Sequence, residues 1–491
     1  MTITPQGPVA DFLRQSPLPH FINGDWHSSP ESAEPVYDPS DGSVLTQASI
    51  GGEREVDQAV RAAHRAFGPW SALAPAERSA LLHRLADRME KDAAVLAQIE
   101  SLDVGKAIVA TEGFDIPFGI ECVRYFANLA THTSYSVPLA IKNIEARQHR
   151  TPYGVCGFIF PWNFPFDLLM WGIAPALAAG NTVVVKPSEV TPLSTLYVAK
   201  LAAEVGIPAG VINVVLGKGE AGAAITRHPL VRRMSFTGSP EVGKLVGAAA
   251  GGRPIPCKLE LGGKGAAVVF EDADVPATAK ALAGAITFNT GQVCCTATRW
   301  VIHEGIYDAF VREVSQALRE TKVGAGADRE TQMGPVVSAV QRDRVNRYLE
   351  QGKREGAEVL FHGDAPNVPG HGGGFYVAPW VLTGSESNVC FREEVFGPAA
   401  FITKFRDEAQ VIEHVNVLEY GLANSVWSGD LRRANRVAEQ LVAGNNWINA
   451  HNVFAYGLPY GGVNLSGMGG GVNSPETLHD YLRHLTIARP L

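Results

Sequence analysis

Cysteine is scarce in this 491-residue chain, with six residues: Cys122, Cys156, Cys257, Cys294, Cys295 and Cys390. Their spacing fits neither a zinc site nor a disulfide framework, so no metal centre is expected, and free thiols suit a reducing cytoplasm. A surplus of positive charge is lacking too. Forty-two basic residues stand against fifty acidic ones, a net charge of −8 with no long basic run, which argues against a nucleic-acid partner. No repeat or low-complexity tract is present. The one stretch apolar enough to suggest a membrane span, residues 155–180, is broken by Pro161, Pro165 and Pro175 and carries Asn163 and Asp167. It reads instead as a buried strand, a turn and a buried helix. Met1–Ser16 has no charged-then-apolar leader pattern.

What remains is the composition of an ordinary globular enzyme, 46% hydrophobic and 19% charged, long enough for two or three domains. Residues 56–102 carry helical periodicity. From residue 153 strands and helices alternate. Strands are expected at 154–160, 182–185, 211–216, 232–236 and 258–261, and helices at 166–179, 193–205, 219–227 and 240–249. Such β-α-β repetition predicts a parallel sheet covered by helices, with ligand-binding loops at the strand ends. A second series follows Gly262. Its strands are expected at 266–271, 300–303, 401–405, 423–427 and 446–449, its helices at 275–288, 307–321 and 337–352. The Gly- and Pro-rich stretch 363–374 reads as a surface loop.

Five segments carry the chemistry. Phe288-Asn-Thr-Gly-Gln-Val-Cys-Cys-Thr-Ala-Thr-Arg299 puts two adjacent thiols after a helix end; they are either small core residues or a nucleophile. Leu259-Glu-Leu-Gly-Gly-Lys264 holds a lone carboxylate between leucines in a buried strand. That Glu260 is either paired or has the raised pKa of a general base. Phe160-Pro-Trp-Asn-Phe-Pro165 offers an Asn163 amide that either stabilises an oxyanion or caps the next helix. Val183-Val-Val-Lys-Pro-Ser-Glu189 ends a strand. Ser235-Phe-Thr-Gly-Ser-Pro-Glu-Val-Gly243 opens a helix, where its N-terminus either binds phosphate or is merely capped.

Together these segments resemble the NAD(P)-dependent aldehyde dehydrogenase superfamily. The resemblance runs from Phe21-Ile-Asn-Gly-Asp-Trp26 to the C-terminus and includes Glu394-Val-Phe-Gly-Pro398, Pro459-Tyr-Gly-Gly462 and Ser466-Gly467. It implies an α/β fold with three parts: a Rossmann-like NAD-binding domain (1–132 and 152–258), a catalytic domain (259–464) and a bridging β-element (133–151 and 465–491). It implies Cys294, rather than Cys295, as the nucleophile, Asn163 as oxyanion donor and Glu260 as general base. Lys186, Glu189, Trp162, Gly238, Ser239, Glu394 and Phe396 match cofactor positions. A carboxylate at Glu189 favours NAD over NADP, with NADP the alternative. Phe164, Leu168, Trp171, Val293, Cys295, Phe454 and Tyr460 match the substrate tunnel, whose apolar lining suits a neutral aromatic or medium-chain aldehyde. Asp167, unusual there, makes an aminoaldehyde the runner-up; it faces the tunnel mouth or solvates a helix start. Release to CoA and a non-catalytic structural role are the competing readings. Strands in 134–150 and 483–491 imply a homodimer or homotetramer.

Two positions depart from the family pattern. Where many relatives carry a Lys and a Glu near the general base, this chain has Gly172 and Gly471. The paired loss predicts more room behind Glu260 and a changed proton path, through water or backbone carbonyls, with an altered pH dependence. The alternative is drift without kinetic effect.

Overall fold

The computed structural model describes residues 7–29, 32–364 and 368–491. The first six residues of the Met1–Ser16 segment, and residues 365–367 of the expected surface loop, lie outside them. The periodic N-terminal region forms three successive helices, Glu53–Ala72, Pro75–Lys91 and Ala93–Val104, the last ended by left-handed Gly105.

An eight-stranded sheet follows from the first alternating series. Its five central strands run in parallel in the order Ile212–Val214, Thr182–Lys186, Val155–Ile159, Val231–Gly238, Cys257–Leu261. In chain order these are strands three, two, one, four and five, so the winding reverses between Val155–Ile159 and Val231–Gly238. In an open α/β sheet that reversal opens a crevice beyond the carboxyl ends of the two strands. Of the strands that flank it, Val155–Ile159 is fully buried and Val231–Gly238 mostly so, as a sheet covered on both faces requires. Helix Pro165–Ala178 on one side is buried almost throughout.

The second series forms a seven-stranded sheet in the order Glu358–His362, Trp380–Thr383, Ala399–Phe405, Ala297–His303, Gly265–Val269, Ala423–Trp427, Asn445–Ile448. All of its pairings are parallel except the first. The boundary drawn between 258 and 259 falls inside Cys257–Leu261, which lies wholly in the first sheet. So does the short strand Gly467–Met468, paired antiparallel to it through Glu260 and Gly467. A separate three-stranded sheet joins Ser136–Ile141, Ile144–Pro152 and the C-terminal Leu482–Pro490. No helix among the described residues is long and apolar enough to cross a membrane.

Candidate active site

The crevice at the winding reversal opens into a cavity of about 390 Å³. Residues 161–164 and 237–241, at the carboxyl ends of the two strands that part there, line it together with residues 293–295. Cys294, Glu260 and Asn163 all lie on its wall, and so do all seven tunnel residues expected from the sequence.

The loop that carries Cys294 is held by an unusual backbone. Asn289 (φ 46°), Thr290 (φ 56°) and Gly291 (φ 71°) are successive left-handed residues between helix Val275–Thr287 and strand Ala297–His303. A run of this kind persists only where its surroundings fix it. Asn289 Nδ2 donates to the Asn163 carbonyl at 2.8 Å and to the Gln292 carbonyl at 3.3 Å. The Gln292 side chain donates to the Asn289 carbonyl at 3.0 Å and accepts from the Val337 N–H at 2.9 Å. Asparagine is among the residues that tolerate this conformation, which was the only local clue to the role of Asn289.

Structure separates the two thiols on physical grounds that the sequence lacked. Cys294 is half-buried, whereas Cys295 is 1% exposed. The Cys294 thiol is lowered to about 7, chiefly by the adjacent Cys295 thiol; burial opposes this, and the Tyr460 hydroxyl at 3.5 Å and backbone N–H groups assist. The Cys295 thiol, which donates to Asn452 Oδ1 at 3.4 Å, is pushed well up by its neighbour Cys294 and by burial. Thiolate character and access therefore both fall to Cys294.

Asn163 does not cap the following helix, whose N-cap is Phe164 with no side-chain bond. Its amide donates to the Gln292 carbonyl at 3.0 Å, which holds it against the loop that carries Cys294. An Asn amide has two N–H donors, and this bond occupies one.

Glu260 pairs in register with Thr237, and both of its carboxylate oxygens are buried without a hydrogen-bond partner. Burial pushes its carboxyl up to about 8; the Lys258 ammonium works against this, and negative charge on Cys294 adds to it. A carboxylate so placed is a stronger base than an exposed one.

On the opposite side, Ser239 caps helix Pro240–Gly251 through a bond from Val242 N–H at 3.4 Å, so the helix N-terminus opens on the crevice. Trp162 and Phe396 meet edge-to-face at 5.3 Å. Glu394 accepts from the Gly263 N–H at 2.9 Å, and burial lifts its carboxyl to about 8. Lys186 and Glu189 do not line this cavity. They pair with each other at 3.3 Å at the end of the neighbouring strand, where Lys186 also donates to the Pro187 carbonyl at 2.8 Å.

The channel end is aromatic. Trp171, Phe454 and Tyr460 pack within 5.3–6.1 Å of one another, centroid to centroid. Phe114 and Phe288 complete the lining; the sequence reading missed both. Phe114 sits in a π-helical turn, Thr111–Asp115, that no local pattern announces. Asp167 is 2% exposed and lines the channel with both oxygens unpartnered, so it does not solvate a helix start. Burial, with Asp115 and Glu100 nearby, holds its carboxyl well above the usual range.

The expected extra room behind Glu260 is largely absent. A Cβ on Gly172 would lie 2.5 Å from the Phe160 ring, and one on Gly471 would lie 2.4 Å from the Tyr460 carbonyl. Aromatic packing and backbone fill the space, leaving a cavity of about 40 Å³.

The aldehyde dehydrogenase family model matches residues 26–487. An aldehyde dehydrogenase of Emericella nidulans is 42% identical over 480 residues, 96% of this chain and 95% of the relative. A phenylacetaldehyde dehydrogenase of Pseudomonas fluorescens is 38% identical, covering 96% and 95%. Among solved structures, betaine aldehyde dehydrogenase from Staphylococcus aureus in complex with NAD+ superposes with a TM-score of 0.95 at 33% identity, covering 98% and 97%. Motifs, fold and relatives agree from end to end: the chain belongs to the aldehyde dehydrogenase family, oxidoreductases that act on aldehydes.

Proposed function

We propose that the protein oxidises a neutral aromatic or medium-chain aldehyde to its carboxylic acid with NAD. The observation that carries this reading is the half-buried, acidified Cys294 thiol sharing one cavity with the Glu260 carboxylate at the end of an aromatic channel. The Cys294 thiolate attacks the carbonyl carbon, forming a C–S bond and an alkoxide within reach of Asn163 and the loop backbone. Collapse of the alkoxide expels the hydride and leaves a thioester. NAD, when bound, supplies the hydride acceptor. Glu260 then takes a proton from water, the resulting hydroxide adds to the thioester carbonyl, and the C–S bond breaks to release the acid and restore the thiolate.

The crevice suits a dinucleotide: the helix N-terminus at Ser239 would take pyrophosphate, the Trp162–Phe396 pair flanks the cleft, and Glu394 inside the cavity and the Lys186–Glu189 pair outside it would take the two riboses. A carboxylate at Glu189 repels a 2′-phosphate, so NADP is the poorer cofactor. Exposed Leu485, Ile487, Ile141 and Ile144 on the three-stranded sheet support a homodimer or homotetramer built through it, and unpaired cysteines support a cytoplasmic location.

The test is NADH formation from an aldehyde panel with and without CoA. Phenylacetaldehyde should yield the free acid and NADH in both cases; acyl-CoA as product, or no turnover with any aldehyde, defeats the reading. One observation favours a cationic aminoaldehyde instead, namely the unpartnered Asp167 carboxyl in the channel. Asp167→Asn separates the two. With a neutral substrate kcat/KM should stay within about threefold, whereas a cationic one should lose about 10- to 100-fold with the charge partner.

A further inference from the structure

Lys258 is 1% exposed, two residues before Glu260 on the strand Cys257–Leu261, so the two side chains share a face. Burying a lysine costs free energy unless its charge is met. Its ammonium donates to the Gly471 carbonyl at 2.5 Å and pairs with Asp480 at 3.0 Å. Asp480 is 31% exposed and thus reaches solvent. Of the three N–H donors of a lysine, these partners use two. The small cavity of about 40 Å³ behind the general base is bordered by Lys258, Glu260, Cys294, Gly172 and Tyr481, room enough for a bridging water. The other groups facing Lys258 are the Arg233 guanidinium, which opposes its charge, and the Tyr481 ring at 5.8 Å.

The run Gly469–Gly471 makes this contact possible. A Cβ on Gly469 would stand 2.3 Å from the Cys257 carbonyl, and one on Gly470 2.7 Å from Asp480 itself. Side chains there would lift the loop off the strand and away from Lys258.

Resting on the aldehyde-oxidising reading above, we propose that Lys258 and Asp480 form the path by which Glu260 returns its proton to solvent. In each turnover the Lys258 ammonium gives a proton to Asp480 and accepts one from Glu260, directly or through water. Asp480 releases its proton outward. No atom is gained or lost at Lys258. Both residues act only through Glu260 and touch no substrate atom, so they position and recharge the base. The thiohemiacetal and hydride steps do not use them.

Stopped-flow NADH formation from phenylacetaldehyde and NAD+ tests this, with wild type, Lys258→Met, Lys258→Arg and Asp480→Asn measured from pH 6 to 10. The burst, which reports acylation and hydride transfer, should keep its rate in every variant. Steady-state turnover should fall about tenfold in Lys258→Met and Asp480→Asn. In Lys258→Met its rising pH limb should also move upward, because a positive neighbour of Glu260 is gone. Lys258→Arg, which keeps the charge, should retain the wild-type limb. A Lys258→Met profile parallel to wild type, or burst and steady state falling together, overturns the proposal. If Lys258→Met does not fold, Asp480→Asn decides: an unchanged steady-state rate overturns it. A wild type that makes no NADH at all fails the functional reading instead.

Discussion

Cys294→Ala should abolish NADH formation, by about 10⁴- to 10⁶-fold in kcat/KM, whereas Cys295→Ala should stay within roughly tenfold of wild type. The contrast follows from two environments one residue apart. With its thiol lowered to about 7, Cys294 is about half thiolate at neutral pH, and it faces the cavity. Cys295 is buried, and its thiol is held protonated by its neighbour Cys294 and by burial. Loss of the Cys295 thiol should move the Cys294 thiol back up. Cys295→Ala should therefore shift the acylation pH profile to higher pH without removing activity. Alkylation by iodoacetamide followed by peptide mapping gives a second measure. Cys294 should label fast and Cys295 slowly. Equal labelling, or loss of activity in Cys295→Ala alone, would reverse the assignment. Neither substitution should unfold the chain, since losing a small buried side chain costs about 1 kcal/mol.

Glu260→Gln is expected to separate the two halves of the reaction. The first turnover should still form NADH at the wild-type rate, after which the thioester should persist and steady-state turnover should drop about 10²- to 10⁴-fold. Quenching and intact-mass measurement should find one acyl group per subunit, and that adduct should map to Cys294. In wild type only the ionised carboxylate can take a proton. With its carboxyl at about 8, deacylation should rise with pH through that value and fade below it. A stability effect accompanies this. The folded carboxyl sits above its unfolded value of 4.5, so between 4.5 and about 8 the folded state binds more protons than the unfolded one. Its contribution therefore weakens as pH rises through that window. Glu260→Gln should flatten this decline, read as a smaller loss of Tm between pH 5 and 9 than in wild type. A Glu260→Gln enzyme with an undiminished steady state would remove the general-base role.

Much of this was legible in the sequence, for identifiable reasons. The alternation of β-branched runs with buried helices gave the parallel centre of both sheets, because those strands are covered on two faces, whereas exposed edge strands such as Asp25–His27 and Glu358–His362 carry no such run. The loops that carry Asn163 and Ser239 follow strands that part at the reversal of winding, so their place on one cavity is a consequence of topology. Other features depend on contacts between segments far apart in the chain. Lys258 reads as one more residue of a strand until Gly471 and Asp480 are brought against it, over 200 positions later. Phe114 reaches the channel from a π-helical turn without periodic pattern. The choice between Cys294 and Cys295 turns on exposure and hydrogen bonding, which adjacency in sequence hides. Gly172 shows the reverse error: a missing side chain suggests space, yet Phe160 occupies it.

That packing has an evolutionary consequence. Restoring a lysine at 172 would drive its Cβ to 2.5 Å from the Phe160 ring, and a glutamate at 471 would collide with the Tyr460 carbonyl. Each reversion alone is overpacked, whatever charge it brings. Gly172 and Phe160 are thus coupled through their contact, so a side chain at 172 calls for a smaller residue at 160.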